Sequence, residues 1–168
     1  MDTFIIFNLQ FTLSFVLLAL AARWYVMPRL RALPPAQALA IALFPGATRF
    51  MGTMFLVSSV TPGMPAAFGV PAAYGDTLSA LIALAAILAN RAGSPAGRPL
   101  AWLYVVVGGA DLAYGLFLGF QHQLWNHLGG AWTYIIVAFP AVVIGLAVTT
   151  MLLQQRQEDA PRVPALAR

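Results

Sequence analysis

Leu43-Phe44-Pro45-Gly46-Ala47-Thr48-Arg49-Phe50-Met51-Gly52-Thr53-Met54-Phe55 is an apolar stretch with one arginine near its middle. More than ten mostly apolar residues flank Arg49 on each side, enough for a segment that crosses a bilayer. In that setting Arg49 lies near mid-depth, where a charge costs on the order of 2.5–3.5 kcal/mol on insertion scales. Such a residue persists only where partners solvate it. Two other apolar runs each carry one aspartate, Asp76 and Asp111, and these are the expected partners.

The rest of the composition agrees with a membrane setting. The chain is 61% hydrophobic and only 8% charged, whereas a soluble domain carries roughly a quarter charged residues. The runs expected to span are about Phe4 to Val26, Ala36 to Val60, Ala72 to Asn90, Leu100 to Phe120 and Ala131 to Leu153. The expected fold is therefore all-α, a polytopic membrane protein built as a compact bundle of five transmembrane helices. Residues 1–153 form its single domain, and residues 154–168 form a polar, basic tail expected to be disordered. Met1-Asp2-Thr3 has no basic region ahead of the first run, so that run reads as a retained span and not as a cleaved signal.

Arginine placement sets the expected orientation. Eight of the nine arginines fall after spans one and three or in the tail, and the ninth is Arg49. By the positive-inside rule the N-terminus lies outside and the C-terminus is cytoplasmic. Trp24, Tyr25, Trp102, Trp125 and Trp132 fall near the expected helix ends, as interfacial aromatics do.

Missing residue types exclude chemistry. Without cysteine there is no disulfide and no thiolate metal site. Without lysine there is no Schiff base to retinal or pyridoxal phosphate. His122 and His127 share one short connector, which argues against a haem held between mid-membrane imidazoles. No metal site, no cofactor and no nucleic-acid partner are expected; the lipid bilayer is the expected surrounding.

The segments Phe7-Asn8-Leu9-Gln10-Phe11-Thr12-Leu13-Ser14, Ala22-Arg23-Trp24-Tyr25-Val26 and Pro71-Ala72-Ala73-Tyr74-Gly75-Asp76 resemble small bacterial inner-membrane proteins without an assigned activity. The resemblance covers most of the chain. It implies a multi-pass protein of the bacterial inner membrane and implies no reaction.

Depth arithmetic brings the charges together. At 1.5 Å per residue, Arg49, Asp111 and Asp76 lie roughly 20, 16 and 21 Å above the cytoplasmic ends of their spans. Faces agree too: Arg49 with Gly52 and Thr53, Asp76 with Ser79, Ala83, Ala86 and Asn90, and Asp111 with Gly108, Gly115 and Gly119. Tyr114 is one turn above Asp111, and Asn8 and Gln10 add polar groups nearer the outside. One arginine facing two acids leaves an excess negative charge, to be balanced by a proton, a cation or a donor group of a ligand. Asp76 is the expected exchangeable acid and Asp111 the fixed partner, with a helix-capping role for Asp76 as the bland alternative.

The reading that follows is an outward-facing cavity lined by Arg49, Asp76, Asp111, Tyr114, Asn8 and Gln10, which binds or transports a small apolar or anionic molecule. One alternative is an accessory subunit that forms a homo-oligomer or docks a larger membrane complex through its Gly115/Gly119 face. Another is a lipid-modifying enzyme that uses an aspartate as acid or base.

Overall fold

The computed structural model describes residues 2–158, and five of its helices are long and apolar enough to cross a membrane. They are α1 (Thr3–Arg31), α2 (Pro35–Leu56), α3 (Ala66–Arg91), α4 (Gly97–Gln121) and α5 (Trp132–Glu158). α5 continues past Leu153 through Glu158, and the remainder of the expected tail lies outside the described residues.

Proline decides where the backbone leaves the α form. Asp2 caps α1 by accepting the Phe4 N–H at 3.0 Å. Near its other end, Ala22–Val26 form a π turn just ahead of Pro28. Pro28 lacks the N–H that an α-helix directs at the Trp24 carbonyl, so the ladder widens there. In α2, Pro45 removes the partner of the Ile41 carbonyl. The α-helix stops at Ala42, makes one more turn over Phe44–Ala47, and then winds as a 3-10 helix from Thr48 to Leu56.

That 3-10 segment changes which residues face inward. Its side chains repeat every three residues, so the buried ones are Arg49, Gly52 and Phe55. Thr53, expected on the arginine face by α-helical spacing, is exposed and donates back to the Phe50 carbonyl at 2.9 Å. α3 also departs from expectation, beginning at Ala66 so that Pro71 lies inside the helix. Pro65 occupies the capping position, and Asp76 sits about three turns in. The capping role for Asp76 is thereby excluded.

α3 packs against α2 and α4, while α5 packs against α1, α2 and α4. α1 rests mainly on α5 and makes little contact with α4. Two apolar cores result. Leu30, Leu39, Leu43, Ile87, Tyr104 and Leu152 belong to one; Phe55, Phe68, Leu118, Leu124, Leu128 and Ile135 belong to the other. On α2, α3 and α4 alike, the charged residue lies between the positions that feed the two cores.

Small residues set the closest approaches. The Tyr104 ring covers Gly46, where a Cβ would fall 2.8 Å from Tyr104 Cε2. Gly145 of α5 meets Pro45 of α2, with a Cβ placed 3.0 Å from the proline ring. At the arginine-rich end, Arg98 donates to the Leu153 carbonyl at 3.0 Å and ties α4 to α5. At the other end Gly130 N–H donates to the Val60 carbonyl at 2.7 Å, joining the two connectors there. Gly46→Ala should lower stability by about 1–3 kcal/mol through overpacking against Tyr104. Gly115→Ala, whose Cβ has nothing within 4 Å, should leave it unchanged. Thermal unfolding in detergent distinguishes the two, and equal behaviour would mean that Tyr104 does not occupy the Gly46 surface.

Candidate functional site

Arg49 is 1% exposed, and three helices contribute to its surroundings. The 3-10 repeat directs it inward together with Gly52 and Phe55. Its Nε donates to Asp76 Oδ1 of α3 at 2.8 Å, and its Nη1 donates to the Gly108 carbonyl of α4 at 3.0 Å. Nη2 donates to Asp111 Oδ2 of α4. A planar guanidinium with donors on three sides suits this arrangement, where a lysine ammonium would not span both acids.

Each carboxylate rests on a glycine of the neighbouring helix. A Cβ at Gly52 would run into the Asp76 carboxylate, and one at Gly75 into the Asp111 carboxylate. Gly108 is also constrained, since a Cβ there would lie 3.1 Å from Arg49 Nη1 and 3.0 Å from Tyr104 Cε2. The cluster is therefore held by chain shape as well as by charge. The two acids are alike in exposure, 16% for each side chain, and both bond to Arg49. The geometry draws no line between a fixed acid and an exchangeable one.

The cluster borders a cavity of about 100 Å³. α1 contributes Phe7, Asn8 and Phe11 to its wall, and α4 contributes Gly115, Leu116 and Phe120. Aromatic rings dominate the remaining lining, with Phe55 and Phe68 in an edge-on pair 5.3 Å apart and Tyr134 within 6.4 Å of Phe55. Trp125 also lines it, its ring 6.3 Å from Phe7 and 6.2 Å from Phe120.

Of the six residues expected to line a cavity, Arg49, Asp76, Asp111 and Asn8 do so. The Asn8 amide donates to its own helix at the Phe4 carbonyl, 2.8 Å away. Gln10 is elsewhere: it accepts from Trp132 Nε1 at 2.8 Å and fastens α1 to α5. Tyr114 is also elsewhere, 53% exposed on the outer surface of α4. At about 100° per residue, positions three and four beyond Asp111 diverge, and the cavity lies on the side of Gly115. Gly115 and Gly119, the face expected to admit a partner helix, line the cavity wall; a Cβ at Gly119 meets Leu124 of the same chain at 3.5 Å. Sequence reasoning missed Gly75 and the aromatic lining. Gly75 carries one local signal, its place immediately before Asp76; the rings are scattered over the chain and carry none.

The cluster's energetics are testable. Removing one member of a buried ion pair costs about 3–5 kcal/mol, because the other charge is left unpaired. Arg49→Ala, which leaves two carboxylates without a counter-charge, should lose stability on that scale. Asp111→Ala, which leaves Arg49 still paired with Asp76, should lose less, and the double variant should lose less than the sum of the two by about 0.5–3 kcal/mol. Gly75→Ala should mimic a mild Asp111 defect by pushing that carboxylate off its seat. Unfolding in graded denaturing detergent measures all four, and strictly additive losses would show that the pair is not formed.

No curated protein and no solved structure matches the chain. A family model does, over residues 6–154, a range that takes in the three charges and the whole cavity lining. The chain thus belongs to the family described as Domain of unknown function (DUF8737).

Proposed function

We propose that the protein is a multi-pass protein of the bacterial inner membrane that binds, and by binding senses or moves, a small molecule held in the cavity beside Arg49. The observation that carries this reading is the meeting of a buried charge cluster with an aromatic cavity. A charge cluster that only locks helices has no need of an adjoining space, and apolar pockets with a few convergent polar groups are where ligands bind.

Orientation supports the placement of the site. Arg23, Arg29, Arg31, Arg91 and Arg98 lie at one end of the bundle, so the positive-inside rule puts the N-terminus outside and the C-terminus inside. The cavity is bounded by the start of α1 and by Leu124 and Trp125 of the α4–α5 connector. It therefore opens in the outer half of the bundle. Because α1 leans on α5 and hardly touches α4, the way in runs between α1 and α4, from the lipid side.

Two experiments test the proposal. Reporter fusions after Pro62 and Trp125 should read as external, and fusions after Ser94 and Arg156 as cytoplasmic; a cytoplasmic signal at Pro62 would overturn the orientation. For the site, a Cβ at Gly115 meets open space, so Gly115→Leu projects its side chain into the cavity. Small molecules extracted from purified wild-type protein should include a species absent from the equally stable Gly115→Leu protein. Identical extracts from two well-folded preparations would mean that the cavity holds nothing.

A further inference from the structure

The cavity presents its charges unequally. Arg49 touches it but is 1% exposed, and its three nitrogens are already committed to Asp76, Gly108 and Asp111. It offers an incoming anion no free face. The acids are less enclosed, with 16% of each side chain accessible. Among the described residues, no second cationic side chain lines the cavity. Two carboxylates opposite one guanidinium leave the wall one negative charge in excess when both are ionised.

The remaining lining strengthens the same preference. Phe7, Phe55, Phe68, Phe120, Trp125 and Tyr134 surround the space, and the faces of aromatic rings attract cations. A group of rings beside an unbalanced carboxylate is the arrangement that takes an alkylammonium ion: its methyl or methylene groups bury against rings while its charge faces the acid. From this geometry we propose that the ligand is a small lipophilic monocation, of the amine or quaternary ammonium class. It is seated with its charge toward Asp76 and Asp111 and its apolar part among the rings. The inference rests on the cavity-binding reading above and narrows it to one charge type. An anion would meet carboxylate edges, and a neutral hydrocarbon would leave the excess charge to be balanced by a proton on one acid.

Three probes of matched shape separate charge from fit: phenyltrimethylammonium, its neutral isostere tert-butylbenzene, and benzenesulfonate. Binding to the full-length protein in lipid nanodiscs is read by Trp fluorescence and by isothermal titration. Phenyltrimethylammonium should bind at least about tenfold more tightly than tert-butylbenzene, and benzenesulfonate should not bind. Gly115→Leu should abolish binding of the cation. Asp76→Asn should erase the preference for the cation and leave tert-butylbenzene binding in place. Should that variant fail to fold, Trp125→Leu serves instead and should weaken the cation roughly two- to thirtyfold.

Equal or tighter binding of tert-butylbenzene would overturn the cation assignment and leave the cavity reading standing. Preference for benzenesulfonate would overturn it as well, and would show that Arg49 is accessible. If none of the probes binds, the cation assignment fails. The extracts from wild-type and Gly115→Leu protein then decide separately whether the cavity binds anything.

Discussion

A guanidinium inside an apolar bundle is tolerable only while it is fully solvated by protein, and Arg49 meets that condition by drawing on two helices besides its own. Asp76 and Asp111 supply the charge, and the Gly108 carbonyl supplies a third acceptor. α2, α3 and α4 are thereby fixed in relative height and rotation, since a shift of one helical turn in any of them would leave a buried ion without its partner. The apolar cores on either side could accommodate small slippages through their Leu, Ile and Ala contacts; the ion cluster could not. Register in this bundle is therefore set by electrostatics, and packing fills in around it.

The backbone is adapted to that requirement. Pro45 ends regular α-helix one turn before the arginine, and the tighter winding that follows aligns Arg49, Gly52 and Phe55 on one line. The same line carries the guanidinium, the surface against which Asp76 lies, and a ring of the cavity wall. A regular α-helix would spread these three residues around the axis by its 100° step. Long 3-10 segments are uncommon and are often found at functional or strained places. Here the segment joins the ion cluster to the cavity.

Much of this was legible in the sequence. A lone arginine in one apolar run and a lone aspartate in each of two others point to one another, because the cost of an unpaired charge in an apolar run is large and specific. Small residues at Ser79, Ala83, Ala86 and Asn90 marked the inner face of α3, and all four are buried. What stayed hidden depends on details finer than periodicity. A repeat of 3.6 sets Thr53 inward, but the backbone does not follow that repeat there. Counting whole turns sets Tyr114 beside Asp111, but steps of three and four lead to different sides of the helix, and Tyr114 is exposed. Residues 66–71 look like connector in the sequence because Pro65 and Pro71 both resemble breaks, while only the first is one. The aromatic enclosure is assembled from residues far apart in sequence, and no local pattern announces such a convergence.

The loose seat of α1 has a consequence for how the chain is made. Synthesis proceeds from the N-terminus, so α1 emerges first, yet its main support is α5, the last of the five to appear. Arg49 likewise emerges before either acid that neutralises it. For a chain threading a bilayer, as proposed here, α2 has to wait in a sheltered place until α3 and α4 follow. Only afterwards can α1 settle against α5, with Gln10 closing onto Trp132. The wall of the cavity that forms last in biogenesis is thus the one held most lightly in the finished protein.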